Sequence, residues 1–140
     1  MDLEQIRAYR NDRSAFSRKM GIVTTEIRAG YARAVKTIGD DDTNPVDRCH
    51  GAVLFALADI VCGSAAVSHG TEAVTMNASY NFLRACKAGD TITAEAHEVK
   101  HGSTISVYNA TLTDQDGHLV GSATTHFYNL KSPLNIPPDE

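Results

Sequence analysis

The spacing of apolar and polar residues changes several times along the chain, and each change predicts a different element. Residues 2–17 place Leu3, Ile6, Tyr9 and Phe16 at near-helical spacing, and the pattern ends before a glycine. This predicts a short, peripheral N-terminal helix.

A hairpin and a loop are predicted next. Two β-prone runs, residues 22–28 and 31–38, flank Ala29-Gly30 and together have the pattern of a hairpin. The acidic segment 39–49 contains the turn signal Asn44-Pro45, so we expect a loop there.

A long helix and four strands account for most of the remaining chain. Residues 50–69 are rich in alanine and leucine, apolar on nearly every side and too long for one strand, which predicts a helix buried all round. Alternation of apolar and polar residues then begins at Val74. The predicted strands are residues 74–82, 91–100, 104–113 and 119–130. Turn signals at His101-Gly102 and Asp116-Gly117 predict that these strands form a meander.

The predicted elements define a fold class. An antiparallel sheet wrapped around one long central helix is the economical way to bury that helix, so we expect an α+β fold. The chain has 140 residues and 42% hydrophobic content, which fits one domain spanning residues 1–140. The proline-rich segment 131–140 is predicted to be a loose tail.

Charge and cysteine content exclude several classes of function. The net charge of -4, without a basic stripe, argues against nucleic-acid binding. No stretch approaches the roughly 20 apolar residues that span a bilayer, and the charged N-terminus lacks the apolar run of a secretory peptide, so we expect a cytoplasmic protein. Cys49, Cys62 and Cys86 are odd in number and lack CxxC spacing, so neither a disulfide framework nor a metal site is predicted.

Asp59 is the candidate catalytic residue. It is the only charged residue between His50 and His69, and Phe55 and Cys62 on the same helix face are apolar. An unpartnered buried carboxylate is costly, so Asp59 must be paired, partly exposed or functional. The structural alternative is a helix that exposes one face and places Asp59 on it.

Gly51 provides the second half of a candidate site. A glycine near the helix start offers a free backbone N–H that could polarise a carbonyl as it becomes an oxyanion, or it merely permits a tight junction. Asp59 follows Gly51 by eight residues, about 12 Å along the helix axis, whereas reacting groups approach within roughly 3.5 Å. If both act on one carbonyl, they come from two subunits of an obligate symmetric dimer.

These residues carry a family resemblance. Asn44, His50-Gly51 and the segment LADI containing Asp59 resemble the hotdog-fold thioesterases of the phenylacetate-degradation (PaaI) type and the related four-hydroxybenzoyl-CoA thioesterases. The resemblance covers roughly residues 15–130. It implies a hotdog fold, hydrolysis of acyl-CoA and a homo-oligomer, with a tetramer as the family expectation. CoA would be part of the substrate, and no separate cofactor is implied.

The resemblance also implies residue roles. Asp59 would be the nucleophile or the general base, Gly51 N–H would polarise the carbonyl, and Asn44 would position the carbonyl or the water. Thr75, from the subunit that supplies Asp59, would help to hold the water, and His50 would support the loop. The structural alternatives are an ordinary strand threonine for Thr75 and a satisfied structural histidine for His50.

The chain departs from the family pattern at two positions. Ala52 replaces the second glycine of the usual His-Gly-Gly, and Ala85 stands where proline is common.

Because CoA carries phosphates, a weak cationic site is expected, although each residue alone could be an ordinary solvated group. The candidates near strand ends are Arg84, Lys87, Lys100, His101, Ser103 and Thr104.

Two other functions compete with thioester hydrolysis. A hydratase on the same fold would need a histidine where this chain has Asp47, so its acid/base pair is missing. A non-catalytic acyl-CoA sensor of a transcription regulator would need a DNA-binding extension, and about 20 residues before the first strand are too few for one.

Overall fold

A computed structural model describes residues 2–138 and shows a six-stranded antiparallel sheet packed around one long helix. The helices are α1 (Leu3–Arg13), α2 (Ala15–Met20) and α3 (Gly51–Ala66), with 3-10 turns at Asp40–Asp42 and Val67–His69. The strands are β1 (Val23–Arg28), β2 (Tyr31–Thr37), β3 (Thr71–Phe82), β4 (Thr91–His101), β5 (Ile105–Thr113) and β6 (Leu119–Pro133). The predicted fold class is confirmed, and the element order agrees except that two helices precede β1.

The strand order corrects one prediction. The sheet order is β1-β2-β4-β5-β6-β3, so the predicted four-strand meander is right for β4, β5 and β6 and wrong for β3. Both edges of β4 are taken, one by β2 and the other by β5. β3 instead crosses the helix and pairs antiparallel with β6, which leaves its other side as an edge of the sheet.

The N-terminal segment forms two helices rather than one. The break falls at Ser14, whose side chain accepts a hydrogen bond from Ser17 N–H and caps α2. Ile6 of α1 is 1% exposed and belongs to the core, whereas Phe16 is 54% exposed. α1 therefore helps to close the core on the β1 side.

α3 is the centre of the core, but it is not buried all round. Leu57, Val61 and Cys62 are fully buried against the sheet. One stripe of the helix, which includes Phe55 at 40% exposure and the half-buried Asp59, stays uncovered in the single chain. The prediction of complete burial was wrong because a continuous apolar pattern does not distinguish sheet contacts from contacts with another molecule.

The same helix changes the expectation about membrane-spanning segments. Residues Gly51–His69 have a mean hydropathy of 1.8 and are long and apolar enough to cross a membrane by length and composition, contrary to the prediction. In the structure 61% of this segment is buried inside the domain. Its apolar character is accounted for by its place in the core.

The C-terminal segment is held at its start. β6 continues to Pro133, and Leu134 N–H donates to the Gly70 carbonyl at 3.0 Å. Leu134 and Ile136 also pack against the core. The tail predicted at 131–140 is thus partly ordered, and its last two residues lie outside the described part of the chain.

Candidate active site

Asp59 meets Thr75 beside the uncovered stripe of α3. Thr75 Oγ1 donates a hydrogen bond to Asp59 Oδ1 at 2.7 Å. Asp59 is half-buried and Thr75 is exposed, so the pair is accessible from outside the single chain. A β-bulge interrupts β3 between Thr75 and Asn77, a feature that often re-aims side chains next to functional sites. The bond fixes one carboxylate oxygen, and the second has the chemistry to accept a proton.

Arg10 lies near this carboxylate, and no pattern in the sequence predicts its place there. Arg10 Nε donates to Ser64 Oγ at 2.9 Å, and Nη2 lies 3.1 Å from the place that a Cβ on Gly63 would occupy. Gly63 is one helical turn beyond Asp59 on the same face. Loss of water contact lowers the pKa of Arg10, and the negative charges of Asp59 and Glu72 act in the opposite direction. A cation from α1 therefore contributes to the electrostatics of the Asp59 region.

Gly51 and His50 form the start of α3. His50 is the N-cap, and its Nδ1 accepts a hydrogen bond from Ala52 N–H at 3.0 Å. Within residues 2–138 no group accepts a hydrogen bond from Gly51 N–H, which leaves that donor available. A Cβ on Gly51 would lie 2.9 Å from Cε1 of Phe82, so the glycine also allows the Phe82 ring to pack against the helix start. His50 thus has a structural capping role, and Gly51 has a free donor.

Asn44 shapes the loop before α3. Its Oδ1 accepts hydrogen bonds from the N–H groups of Val46 and Arg48, each at 3.0 Å. Its own N–H donates to the Arg48 carbonyl at 2.7 Å. The side-chain oxygen is therefore used inside the loop, and the amide NH₂ is the end of Asn44 with the chemistry to donate to a substrate or water.

Gly51 and Asp59 do not come together within one chain. Gly51 lies beside Phe82 near the end of β3, whereas Asp59 lies beside Thr75 near its start. The rise of the helix between them is about 12 Å. A narrow gap in front of Asp59, lined by Phe55, Tyr80 and Thr125 among others, is too tight for a water molecule in the single chain.

Cavity size does not locate the reaction centre. A cavity of about 790 Å³, open to solvent, lies between α1 and the C-terminal segment and contains neither Asp59 nor Gly51 among its lining residues. The reaction centre is assigned to Asp59 and not to this cavity, because the carboxylate has the chemistry that hydrolysis needs.

The predicted phosphate-binding residues fall into two groups. Arg84 and Lys87 lie between β3 and β4, where the Arg84 Nε is 4.0 Å from Asp114 Oδ2. Lys100 and His101 lie at the far end of β4, and Ser103 and Thr104 follow in the turn to β5. β4 has 11 residues and spans roughly 35 Å. The structure therefore does not bring the six residues together in one chain.

Comparison with known proteins identifies the family. Residues 47–121 match the family model described as the thioesterase superfamily. The acyl-coenzyme A thioesterase PaaI of Escherichia coli is 35% identical over 107 residues, which cover 76% of this chain and 75% of that protein. The chain belongs to the thioesterase superfamily.

Solved structures agree with this assignment. The structure of Escherichia coli PaaI has a TM-score of 0.91, with 27% identity over 95% of this chain and 96% of that one. A thioesterase from Streptococcus pneumoniae, solved with coenzyme A, has a TM-score of 0.77 and 27% identity over 81% and 88% of the two chains. The predicted hotdog fold is confirmed, and the protein is a thioester hydrolase.

Proposed function

We propose that the protein hydrolyses an acyl-CoA thioester to a free acid and CoA, with Asp59 as the catalytic carboxylate. The observation that carries the proposal is the hydrogen bond from Thr75 to Asp59 on an accessible face of α3. A carboxylate held by one oxygen beside an apolar stripe is suited to attack a carbonyl or to activate water.

The pneumococcal relative supports this pairing. Two further structures of that thioesterase carry an aspartate-to-alanine and a threonine-to-alanine substitution, respectively. The two substituted positions are separated by the same 16 residues that separate Asp59 from Thr75. The same two residue types at the same spacing favour a shared site.

Two chemical routes fit the Asp59 carboxylate. As a general base, Asp59 takes a proton from water while the water oxygen bonds to the carbonyl carbon, and collapse of the adduct breaks the C–S bond and releases the CoA thiolate, which regains the proton. As a nucleophile, Asp59 bonds to the carbonyl carbon itself, and collapse of the adduct breaks the C–S bond and leaves an anhydride and the CoA thiolate. Water then hydrolyses the anhydride, which restores the Asp59 carboxylate, and a proton from that water goes to the thiolate. Both routes place negative charge on the carbonyl oxygen, which a backbone N–H donor stabilises.

That donor is proposed to be Gly51 N–H of a second subunit. Phe55 on the uncovered stripe is 40% exposed, and Val74 and Met76 on the edge strand β3 are 48% and 52% exposed. Exposed apolar side chains beside a free sheet edge are typical of a protein interface. A two-fold axis across this surface would bring Asp59 of each chain toward Gly51 of the other, giving an obligate dimer with two sites. The tetramer remains the family expectation.

The same symmetry offers an arrangement for the CoA phosphates. Arg84 and Lys87 lie at the Gly51 end of β3, whereas Lys100 and Thr104 lie at the opposite end of β4. In a dimer whose two β3 strands run antiparallel, the end of one chain that carries Arg84 and Lys87 approaches the end of the other chain that carries Lys100 and Thr104. The cationic site is therefore proposed to be composite, with each chain supplying one group.

The first experiment measures release of CoA thiol from aryl and aliphatic acyl-CoA esters. Asp59→Asn should lose about 100-fold or more in kcat, whereas the exposed Asp12→Asn variant serves as a matched control and should keep wild-type activity. Retained CoA binding by Asp59→Asn would show that chemistry alone was lost. Equal activity of Asp59→Asn and wild type would refute the proposed role, and no release from any ester would favour a binding protein.

A second experiment tests the shared site. Gly51→Pro removes the N–H donor, and His50 already has φ -63° and ψ 135°, which suits a residue before proline. Gly51→Ala adds a Cβ but keeps the donor, so it controls for the contact with Phe82. Asp59→Asn and Gly51→Pro should each be inactive as pure proteins. Mixed and refolded together in equal amounts, they should recover about a quarter of wild-type activity, because half of the dimers then hold one intact site. No recovery would place both groups in one chain.

A further inference from the structure

Three potential metal ligands meet where the turn after α3 approaches β4. His69 Nε2 lies 2.7 Å from Glu98 Oε1, and His101 Nδ1 lies 3.7 Å from the same oxygen. The three ligand atoms are all within 4.8 Å of one another, and the two imidazole rings stack with centroids 3.8 Å apart. We propose that His69, Glu98 and His101 form a binding site for a divalent metal ion of the zinc type.

A β-bulge in β4 creates this cluster. In a regular strand, residues three apart point to opposite faces. The pairing of β4 with β5 shifts between Glu98 and Lys100, so that Glu98 lies opposite Tyr108 and His101 lies opposite Ser106. Ser106 and Tyr108 are both fully buried on the inner face of the sheet. The extra residue of this bulge therefore turns Glu98 and His101 to the same side of the sheet.

Buried side chains contact the two ligands that β4 supplies. Tyr108 OH donates to Glu98 Oε1 at 3.2 Å. Outer partners that hold a ligand in place are a regular feature of metal sites. Ser106 Oγ lies 3.1 Å from His101 Nδ1, the nitrogen that would bind the metal. On binding, His101 Nδ1 would exchange its contact with Ser106 for the metal.

The distances suit a tetrahedral ion. Ligand bonds of 2.0–2.1 Å at tetrahedral angles place neighbouring ligand atoms about 3.3 Å apart. The two observed separations from Glu98 Oε1, 2.7 and 3.7 Å, lie on either side of that value. Binding requires side-chain rotation, in which the stacked imidazole rings turn so that both nitrogens face one ion. Two imidazoles and one carboxylate are a ligand set that zinc accepts, with water in the fourth position. His69 also ends the turn that continues α3, where the negative end of the helix dipole favours a cation.

The cluster is separate from the Asp59–Thr75 pair, and it lies at the end of β4 that also carries Lys100. Across the sheet, Thr75 pairs with Phe127, Phe127 with Ser106, and Ser106 with His101. Three strand spacings amount to about 14 Å. A metal here would tie the end of the central helix to β4 and stabilise the fold, and it would not take part in hydrolysis.

The test is titration of the purified, chelator-treated full chain with Zn²⁺ by calorimetry, and with Co²⁺ by its visible absorption. We expect one equivalent per chain, a tetrahedral Co²⁺ spectrum and a higher melting temperature with Zn²⁺. His69→Gln and His101→Gln should each weaken Zn²⁺ binding by at least about tenfold.

Two histidine controls make the test specific. His97 lies on the same strand, with its ring tilted against Tyr31, and His118 lies in an exposed turn with Asp114 and Asp116. His97→Gln and His118→Gln should bind Zn²⁺ like wild type. Absence of stoichiometric binding, or binding unchanged in His69→Gln and His101→Gln, would overturn the proposal. Because the readouts are metal binding and melting temperature, the result is independent of thioester hydrolysis.

Discussion

Replacement of Thr75 by valine tests whether its hydrogen bond matters for the reaction. Valine has nearly the same shape as threonine and is equally suited to a strand, but it has no hydroxyl group. Thr75 is exposed in the single chain, so the change removes little packing from the core. The main loss is the hydrogen bond to Asp59 Oδ1.

The expected effect follows from the length and charge of that bond. At 2.7 Å it is short, and its acceptor is a carboxylate, so it belongs to the stronger class, worth about 1.5–3 kcal/mol. Since roughly 1.4 kcal/mol corresponds to a factor of ten in rate, Thr75→Val should lower kcat about 10- to 100-fold. KM should change little, because the hydroxyl orients the reacting carboxylate and contributes little to uniform substrate binding.

The assay is steady-state release of CoA thiol by wild type, Thr75→Val and Thr75→Ser. Serine keeps the hydroxyl group, so Thr75→Ser should stay within a few-fold of wild type. Melting temperatures of all three proteins should agree closely, which separates a loss of chemistry from a loss of folding. A kcat for Thr75→Val within about twofold of wild type would refute the reasoning.

Two further predictions concern the core and its titratable groups. Arg10→Met should lower the free energy of unfolding in urea by about 1–2 kcal/mol, because the fully buried Ser64 hydroxyl loses a charged partner, and an unchanged urea midpoint would contradict this. Burial raises the pKa of the Cys62 thiol to about 12, so at pH 8 only a fraction on the order of 10⁻⁴ is thiolate, and iodoacetamide should label it rapidly only after denaturation. Rapid labelling of Cys62 in the native protein, detected by mass spectrometry, would contradict its burial in the core.

Some elements were predictable because their signals are local. The hairpin around Ala29-Gly30 and the helix starting at Gly51 need only residue spacing and turn chemistry. The position of β3 was not predictable in this way, since pairing with β6 joins Thr75 to Phe127, far apart in the chain. Strand order depends on which edges remain free after the other strands have paired.

Some residues of the candidate site were also predictable from the sequence, and others were not. Asp59 was identified from the sequence because a charge inside an apolar helix is costly without a reason. The role of Thr75 beside Asp59 was predicted from the family resemblance, and the structure shows the hydrogen bond between them. Arg10 was missed because the N-terminal helix was treated as peripheral, and no local pattern shows that its side chain reaches Ser64.

The sequence by itself determined the fold class, the central helix and the family, because periodicity and motif spacing are properties of neighbouring residues. Tertiary structure alone decided which stripe of the helix stays open and how the ends of β4 separate the cationic residues. It also decided that a bulge turns Glu98 and His101 to the same face of the sheet, where both lie close to His69. Each of these depends on strand pairing between distant segments, and a one-residue shift in pairing reverses the direction of every side chain that follows.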